Sequence, residues 1–258
     1  MKKYLIILGS GNSFGVPRID GSWGKCNKKN IKNFRTRCSA IIVKGKNSVL
    51  IDTSPDIKKQ FIDNGIKNLS SVLYTHEHSD QTSGIFELRP FFYKNKKKID
   101  IYGNSKTIGL LKKRFDYCFK EDAIYPAILK AHVIKKNFSL GSLKDRINFS
   151  TFQAKHGFIK TTAYIFEKTL YLSDSNDLSI INRKDIKNLN CLVIDCLRIE
   201  KNFAHFSLDE SLYIHKKLSP KKTYLTNLNF NMDYDTLKKM LPKNVFPAYD
   251  GLKINLSS

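Results

Sequence analysis

The sequence has no closely spaced cysteine pair, no long apolar run and few acidic residues. None of its five cysteines belongs to a CxxC pair, which argues against a disulfide framework and against a structural zinc knuckle. We therefore predict a reducing, cytoplasmic location.

No stretch approaches the roughly 18 apolar residues that a membrane span requires. The apolar run at residues 4–8 is too short for a signal peptide and has no small-x-small cleavage site after it, so we predict it to be the first buried strand.

Acidic residues are scarce relative to basic ones, with 23 Asp and Glu against 45 Lys and Arg and a formal net charge of +22. Such a charge can mark a protein that binds nucleic acid or another polyphosphate. The lysines are nevertheless spread along the whole chain, and only residues 94–98 form a run. We therefore interpret most of the charge as a property of composition. We expect a small anionic substrate, with nucleic acid as a less favoured partner and no membrane association.

Short β-branched and aromatic runs alternate with helical segments along the chain. With 258 residues, 41% of them hydrophobic, the chain has the length and composition of a globular domain, and we predict one domain over residues 1–258. Strands are predicted at residues 4–8, 39–43, 48–52, 71–75, 100–102, 131–134, 146–153, 162–166, 169–173, 191–196, 223–226 and 244–248. Capping and stop signals predict helices at residues 54–64, 85–93, 105–119, 180–188, 207–218 and 234–240. This alternation predicts a layered α/β domain.

A polar sequence follows the predicted strand at residues 71–75. His76 and His78 are two positions apart, and Asp80 follows at the same spacing. Residues i and i+2 share a face in extended backbone, so both imidazoles can point at one ion. The spacing therefore predicts a metal-binding loop.

Two further polar residues lie just past other predicted strands. His156 follows the strand at residues 146–153, and Asp174 follows the strand at residues 169–173. Because strand-end loops can converge on one ion, we predict that both residues join the loop. In contrast, His132 lies inside a predicted strand and His215 inside a predicted helix, and we expect both to be structural.

Residues 75–81, with the sequence THEHSDQ, resemble the HxHxDH signature of the metallo-β-lactamase superfamily. Segments 9–17, 37–39, 52–56 and 247–251 are similar to the branch that contains phosphoribosyl 1,2-cyclic phosphate phosphodiesterase and, more distantly, ribonuclease Z. The resemblance implies a four-layer αββα sandwich of the metallo-β-lactamase type within the α/β class. It also implies a two-metal site at one edge of the sheets, and a homodimer is plausible for this family.

Carried over residue by residue, the resemblance implies that His76, His78 and His156 form a three-histidine metal site. Asp174 matches the bridging carboxylate, and Asp80 matches a ligand of the second metal. The implied cofactor is one or two divalent ions, zinc or manganese.

Two positions depart from the family pattern. Gln81 stands where the signature usually has histidine, and Asn229 stands where the branch usually has its last metal-binding histidine. Amide oxygens suit harder ions such as manganese or magnesium, whereas imidazole suits zinc. We therefore expect Gln81 and Asn229 to be weak metal ligands, and the second position to be weak, held by a harder ion, or empty.

The resemblance implies a metal-dependent hydrolase that acts as a phosphodiesterase on a small phosphodiester, with a cyclic phosphodiester among the candidates. A bound ion lowers the pKa of its water to roughly 7 and so supplies hydroxide as the nucleophile. Asp80 is predicted to orient that hydroxide or accept its proton. His205, which resembles the histidine that this branch places against the substrate phosphate, is predicted to protonate the departing alkoxide. Arg37 and Arg89 are predicted phosphate ligands, because guanidinium presents a planar fork to phosphoryl oxygens.

Two other functions stay open on the sequence. One is a ribonuclease Z-like nuclease, which the basic charge favours, although no long inserted segment resembles a flexible tRNA-gripping arm. The other is a non-catalytic metal-binding protein with a degraded second metal site, for which Gln81 and Asn229 are the evidence.

Overall fold

A computed structural model describes residues 2–256 of the chain, in which two seven-stranded sheets are present. The first sheet consists of β1 (Lys3–Gly9), β2 (Ser39–Lys44), β3 (Asn47–Ile51), β4 (Ser71–Leu73), β5 (Ile99–Gly103), β6 (Leu129–Val133) and β14 (Leu252–Asn255). The second consists of β7 (Asn137–Leu140), β8 (Ile147–His156), β9 (Ile159–Phe166), β10 (Thr169–Leu172), β11 (Cys191–Asp195), β12 (Lys222–Thr226) and β13 (Val245–Pro247). Met1, Ser257 and Ser258, at the ends of the predicted domain, lie outside the described residues.

The two sheets share one topological plan. The first has the order β14-β1-β2-β3-β4-β5-β6, antiparallel as far as β3 and parallel from there. The second has the order β13-β12-β11-β10-β9-β8-β7, parallel from β13 to β10 and antiparallel beyond it. In parallel strands the carboxyl ends lie at one edge of the sheet, so the loops after β4 and β11 leave their sheets at such edges.

Three apolar layers make the molecule a four-layer αββα sandwich, which confirms the predicted fold. Side chains alternate across each strand, and in β1 Leu5 and Ile7 belong to the core between the sheets. Ile6 and Leu8 belong instead to the outer core, where helices cover the first sheet. A third core, including Leu192 and Ile194, lies between the second sheet and its own helices.

The helices are α1 (Ile57–Asp63), α2 (Ser79–Thr82), α3 (Arg89–Asn95), α4 (Ser105–Arg114), α5 (Leu208–Leu218) and α6 (Tyr234–Met240). The predicted capping box of α5 is present, since Ser207 and Glu210 satisfy each other's backbone N–H groups. Among residues 2–256, no helix is long and apolar enough to span a membrane.

The predicted elements differ from the observed ones mainly at edges. The edge strands β7 and β14 were not predicted, because such short strands acquire their register only by pairing with a neighbour. The predicted helix at residues 180–188 is a short 3₁₀ segment, Leu178–Asn182, and the one at residues 105–119 ends at Arg114.

The irregular segment at residues 10–38 is fixed by polar contacts with the end of the chain. The half-buried Asp250 carboxylate accepts hydrogen bonds from the backbone N–H and the hydroxyl of both Ser10 and Thr36. The buried Arg35 guanidinium donates to the carbonyl oxygens of Asn229 and Met232. The segment is therefore held against the loop that follows β12.

Candidate metal centre

The three predicted histidine ligands converge at one edge of the sheets. His76 follows β4, His78 precedes the first turn of α2, and His156 is the last residue of β8. Their ring centroids lie 4.6, 5.0 and 5.1 Å apart, and His156 Nε2 lies 3.3 Å from His78 Nδ1. Two strand ends from different sheets therefore bring together residues that are about 80 positions apart in the sequence.

A chain of hydrogen bonds orients His76. Its Nδ1 lies 3.0 Å from Thr75 Oγ1, and that hydroxyl donates to Asp52 Oδ2 at 2.8 Å. If Nδ1 carries the proton, Nε2 presents its lone pair to the cluster. His76 Nε2 is buried and has no hydrogen-bond partner among the described residues. An orphaned buried nitrogen of this kind fits a metal ligand whose ion completes its coordination, and the Thr75–Asp52 chain is the outer support that such ligands have.

His156 is oriented in the same way. Its Nδ1 lies 2.7 Å from the Ala204 carbonyl oxygen, which accepts the ring proton and directs Nε2 into the cluster. Burial, together with the neighbouring imidazoles, lowers the pKa of His156 to about 4 and holds the pKa of His76 well below its usual value. Both rings are therefore neutral near pH 7, the state in which imidazole binds metal.

Buried carboxylates face the imidazoles. Asp174 Oδ2 lies 3.7 Å from His76 Nε2 and 3.9 Å from His156 Nε2. Burial raises the pKa of Asp174 to about 8 and also raises the pKa of Asp80 and of Asp195. Several buried carboxylates in one site are costly unless a cation compensates them. The donor set of imidazole nitrogens and carboxylate oxygens therefore fits a divalent ion such as zinc.

The asparagine beside Asp174 is Asn227, which corrects the expectation for Asn229. Asn227 Nδ2 lies 3.4 Å from Asp174 Oδ1 and 3.2 Å from Asp195 Oδ1. Asn229 Oδ1 accepts instead from the backbone N–H of Asn231. The Asn227 backbone lies in the left-handed region at φ 63°.

Gln81 is buried next to Asp80. With Nε2 directed at the Cys38 carbonyl oxygen (3.3 Å) and Asp52 Oδ2 (3.2 Å), the amide hydrogens have acceptors. In the opposite orientation Oε1 would face these two acceptors without a hydrogen between them. We therefore assign the orientation in which Nε2 faces them. The end of the amide near Asp80 lies 3.4 Å from Asp80 Oδ2, and in this orientation that end is an oxygen. Gln81 and Asp80 therefore present two oxygens side by side, as a harder ion requires.

His205 lies on the other side of the cluster, with a partner that the sequence did not single out. Its ring centroid is 4.7 Å from that of His156, and its Nδ1 is 2.7 Å from Asp195 Oδ2. Burial opposes the charged imidazolium, but the carboxylates of Asp195 and Asp174 outweigh it and raise the pKa of His205 to about 9. Asp195 is the last residue of the buried strand β11. An acidic residue at the end of an apolar strand was the sequence feature that could have identified it as a site residue.

The two predicted phosphate ligands have other partners. Arg37 Nε lies 2.9 Å from Asp56 Oδ2. The Arg89 guanidinium lies 5.9 Å from the ring centroid of Tyr93 and 5.6 Å from that of Tyr125, where it lines a separate cavity of about 130 Å³. We therefore place neither arginine in the metal centre.

The two histidines that we expected to be structural have ordinary partners. His132 Nε2 lies 2.7 Å from Asp100 Oδ1, and His215 Nδ1 lies 2.9 Å from Thr223 Oγ1.

Comparison with known proteins agrees with this geometry. A solved structure described as a new diphosphatase from the PhnP family is 30% identical, with a TM-score of 0.87 over 99% of this chain and 97% of that one. Two others show the fold alone: zinc-bound PqqB from Methylobacterium extorquens (14% identity, TM-score 0.74, covering 97% and 99%) and human tRNase Z, short form (14%, 0.69, 99% and 100%). The PqqB structure is described as zinc-bound, and the PhnP-family protein is described as a diphosphatase.

A curated relative is longer than this chain. The octanoyltransferase of Porphyromonas gingivalis is 27% identical over 256 residues, which are 96% of this chain and 50% of that protein. The chain thus spans about half the length of the curated relative that it matches. Residues 47–226 match the family described as the beta-lactamase superfamily domain. On this match and on the structural likeness, the chain belongs to the metallo-β-lactamase superfamily.

Proposed function

We propose that this protein is a metal-dependent hydrolase of a small phosphodiester or of the related diphosphate linkage. The observation that carries the proposal is the unpartnered, buried Nε2 of His76, which faces the other imidazoles and Asp174. The diphosphatase relative at 30% identity supports a phosphate substrate, and the net charge of +22 favours an anion.

Four residues would hold the first ion, namely His76, His78, His156 and Asp174. For the second ion we propose Asp80 and the Oε1 of Gln81, with Asp174 shared between the two positions. When bound, such an ion supplies a Lewis acid for a phosphoryl oxygen and lowers the pKa of a water molecule.

Asp80 and His205 would handle the protons. Asp80 is half-buried beside the cluster, where its carboxylate would orient the attacking water or accept its proton. Asp195 accepts the Nδ1 proton of His205, which fixes the ring and leaves Nε2 on the opposite side of it. A proton on Nε2 is available to the departing oxygen, as general acid catalysis requires.

The test measures metal and turnover together. Bound metal per chain is determined by elemental analysis, and hydrolysis of bis(p-nitrophenyl) phosphate is followed with zinc and with manganese supplied. We expect at least one ion per chain and manganese-responsive turnover, both lost in His76→Ala. A metal-free protein, or a His76→Ala variant as active as wild type, would overturn the assignment.

One observation favours a second candidate, a non-catalytic metal-binding protein. Amides occupy the positions of Gln81 and Asn227, where imidazoles would bind a second zinc ion more strongly. Metal at one ion per chain without turnover on any phosphodiester would favour this candidate. Binding and cleavage of a structured RNA at moderate salt would instead favour a nuclease. Binding driven by phosphate contacts is easily detected at such salt concentrations.

A further inference from the structure

Two exposed phenylalanine rings lie together beside the metal centre. The side chains of Phe158 and Phe203 are 95% and 58% exposed, and their ring centroids are 4.6 Å apart. Large apolar rings grouped in water commonly mark a binding surface. The pair combines residues 45 positions apart, one in the β8–β9 turn and one in the loop before α5.

The backbone fixes this pair to the proposed catalytic residues. Phe158 is two residues after His156, and Phe203 is two residues before His205. Asn176 connects the two loops, since its Oδ1 accepts from Gly157 N at 3.1 Å and its Nδ2 donates to the Phe203 carbonyl at 2.6 Å.

The loops also pack closely at Gly157. A Cβ atom there would lie 3.2 Å from Phe203 Cε1, so a larger residue would push the ring away. The two loops that carry the rings are therefore held together next to His156.

A basic groove of about 610 Å³ begins at Phe158. Four lysines line it: Lys106, Lys135, Lys136 and Lys160. Lys106 is paired with Glu77 at 2.8 Å. Within residues 2–256, the other three lysines form no ion pair, and their charges are available to an anion.

We propose that the exposed rings of Phe158 and Phe203 bind the base of a nucleotide-derived substrate, and that the lysine groove binds a further phosphate group of it. The inference rests on the proposed phosphate hydrolase and names its substrate class. Bases stack on aromatic side chains whatever their identity, since each base has a π face. Lysine supplies point charges to phosphate. A flat base offers these rings a larger stacking surface than a bare sugar phosphate does, so the pair favours a nucleoside ester as the substrate.

The test compares two substrates with the same leaving group, the p-nitrophenyl ester of thymidine monophosphate and methyl p-nitrophenyl phosphate. In Phe158→Leu/Phe203→Leu, the ratio of kcat/KM for the thymidine ester to that for the methyl ester should fall about 5-fold or more. The loss should appear in KM. Tyr213→Leu, an exposed aromatic on α5, is the matched control and should leave the ratio unchanged. An equal loss on both esters, or no loss, would overturn the proposal.

A binding measurement separates this proposal from the proposed hydrolase. If wild type hydrolyses neither ester with zinc or manganese, the proposed function fails. The base site is then measured by calorimetric titration of the zinc-loaded protein with adenosine monophosphate and with ribose phosphate. Tighter binding of the nucleotide, lost in the double Phe variant, supports the site, whereas equal affinities for the two ligands contradict it.

The lysine groove has its own comparison. Lys135→Gln/Lys136→Gln should weaken adenosine diphosphate binding more than adenosine monophosphate binding, because only the diphosphate carries the additional group. Lys216→Gln/Lys217→Gln, two exposed lysines on α5, serves as the control for net charge. Equal weakening by both pairs of substitutions would show a general charge effect and would remove the groove from the proposal.

Discussion

The histidine side and the oxygen side of the metal centre are built differently. On the histidine side, His76 and His156 each have one ring nitrogen fixed by a neighbour, Thr75 Oγ1 or the Ala204 carbonyl, and the other free for an ion. On the oxygen side, which contains Asp80, Gln81 and Asp174, the amide nitrogen of Asn227 already has carboxylate acceptors, since it lies 3.4 Å from Asp174 Oδ1 and 3.2 Å from Asp195 Oδ1.

The difference shows what each side requires. Neutral imidazoles with outer hydrogen bonds are preorganised for zinc without further change. Carboxylates whose pKa burial raises, such as Asp174 and Asp80, need either a proton or a cation. We therefore expect an ion on the histidine side to bind tightly and an ion on the oxygen side to exchange readily.

The largest effect is expected from His76→Ala. Loss of a direct ligand should reduce zinc affinity by more than about 100-fold, the upper range for outer-shell replacements. Zinc per chain after gel filtration and turnover of bis(p-nitrophenyl) phosphate measure this. His215→Ala, a histidine bonded to Thr223, should keep both at the wild-type level, and a similar loss in that control would show a folding effect.

The proposed general acid, His205, is tested by His205→Gln. Removing a general acid should lower kcat by about 100-fold or more, while the zinc content stays at the wild-type value. Asp195→Asn should act in the same direction, since it leaves the His205 ring without its carboxylate. The kcat values of both variants and of wild type are compared in turnover assays at matched metal content. Unchanged kcat in both variants would exclude the acid role.

An outer contact of the histidine side is tested by Thr75→Val. The substitution keeps the shape but removes the link between His76 and Asp52, and zinc affinity should fall about 10- to 100-fold. Competition with a chelating dye measures the affinity. Thr75→Ser retains the hydroxyl and should restore binding; if it does not, the methyl group rather than the hydrogen bond is responsible.

The asymmetry itself is tested by Gln81→His/Asn227→His. Imidazole at both positions should tighten a second zinc ion by about 10-fold or more, because imidazole suits zinc better than amide oxygen does. Histidine tolerates the left-handed backbone of residue 227 better than most residues. A titration should show two zinc equivalents in place of one. If wild type already binds two zinc ions equally tightly, the proposed asymmetry is wrong.

A half-buried carboxylate outside the centre, Asp250, provides a reference. Burial, against four accepted hydrogen bonds, raises the pKa of Asp250 from 3.8 to about 6. Between these values the folded state binds more protons than the unfolded chain, so the free energy of unfolding falls as pH rises, by up to about 3 kcal/mol. Asp250→Asn should lack this slope in urea titrations. Zinc should leave the difference in slope between wild type and Asp250→Asn unchanged, and a zinc-dependent difference would contradict the separation of Asp250 from the centre.

Much of the site was predictable because its signals are local. His76, His78 and Asp80 are close in sequence, and His156 and Asp174 each lie just past an apolar strand. The fold followed from the resemblance and from period-2 burial in strands such as β1. Asp195, like Asp174, lies at the end of an apolar run. Its role became clear only from its hydrogen bond with His205, which the sequence does not reveal.

Other features depend on contacts that spacing does not encode. Asn227 lies beside Asp174, a contact that depends on the path of the loop after β12 and is not visible in the residue spacing. Arg37 and Arg89 were both predicted phosphate ligands, and the ion pair of Arg37 with Asp56 and the contacts of Arg89 with Tyr93 and Tyr125 appear only in three dimensions.

Residue type and near-neighbour spacing are enough to predict the layered fold, the histidine motif and the excess of positive charge. Three features require the folded molecule: which nitrogen of each histidine is free, which asparagine faces Asp174, and the meeting of Phe158 and Phe203 beside a lysine groove. These contacts join residues that are far apart in the chain, such as Asp174 with Asn227 and Phe158 with Phe203, so the packing of strands and loops sets their geometry.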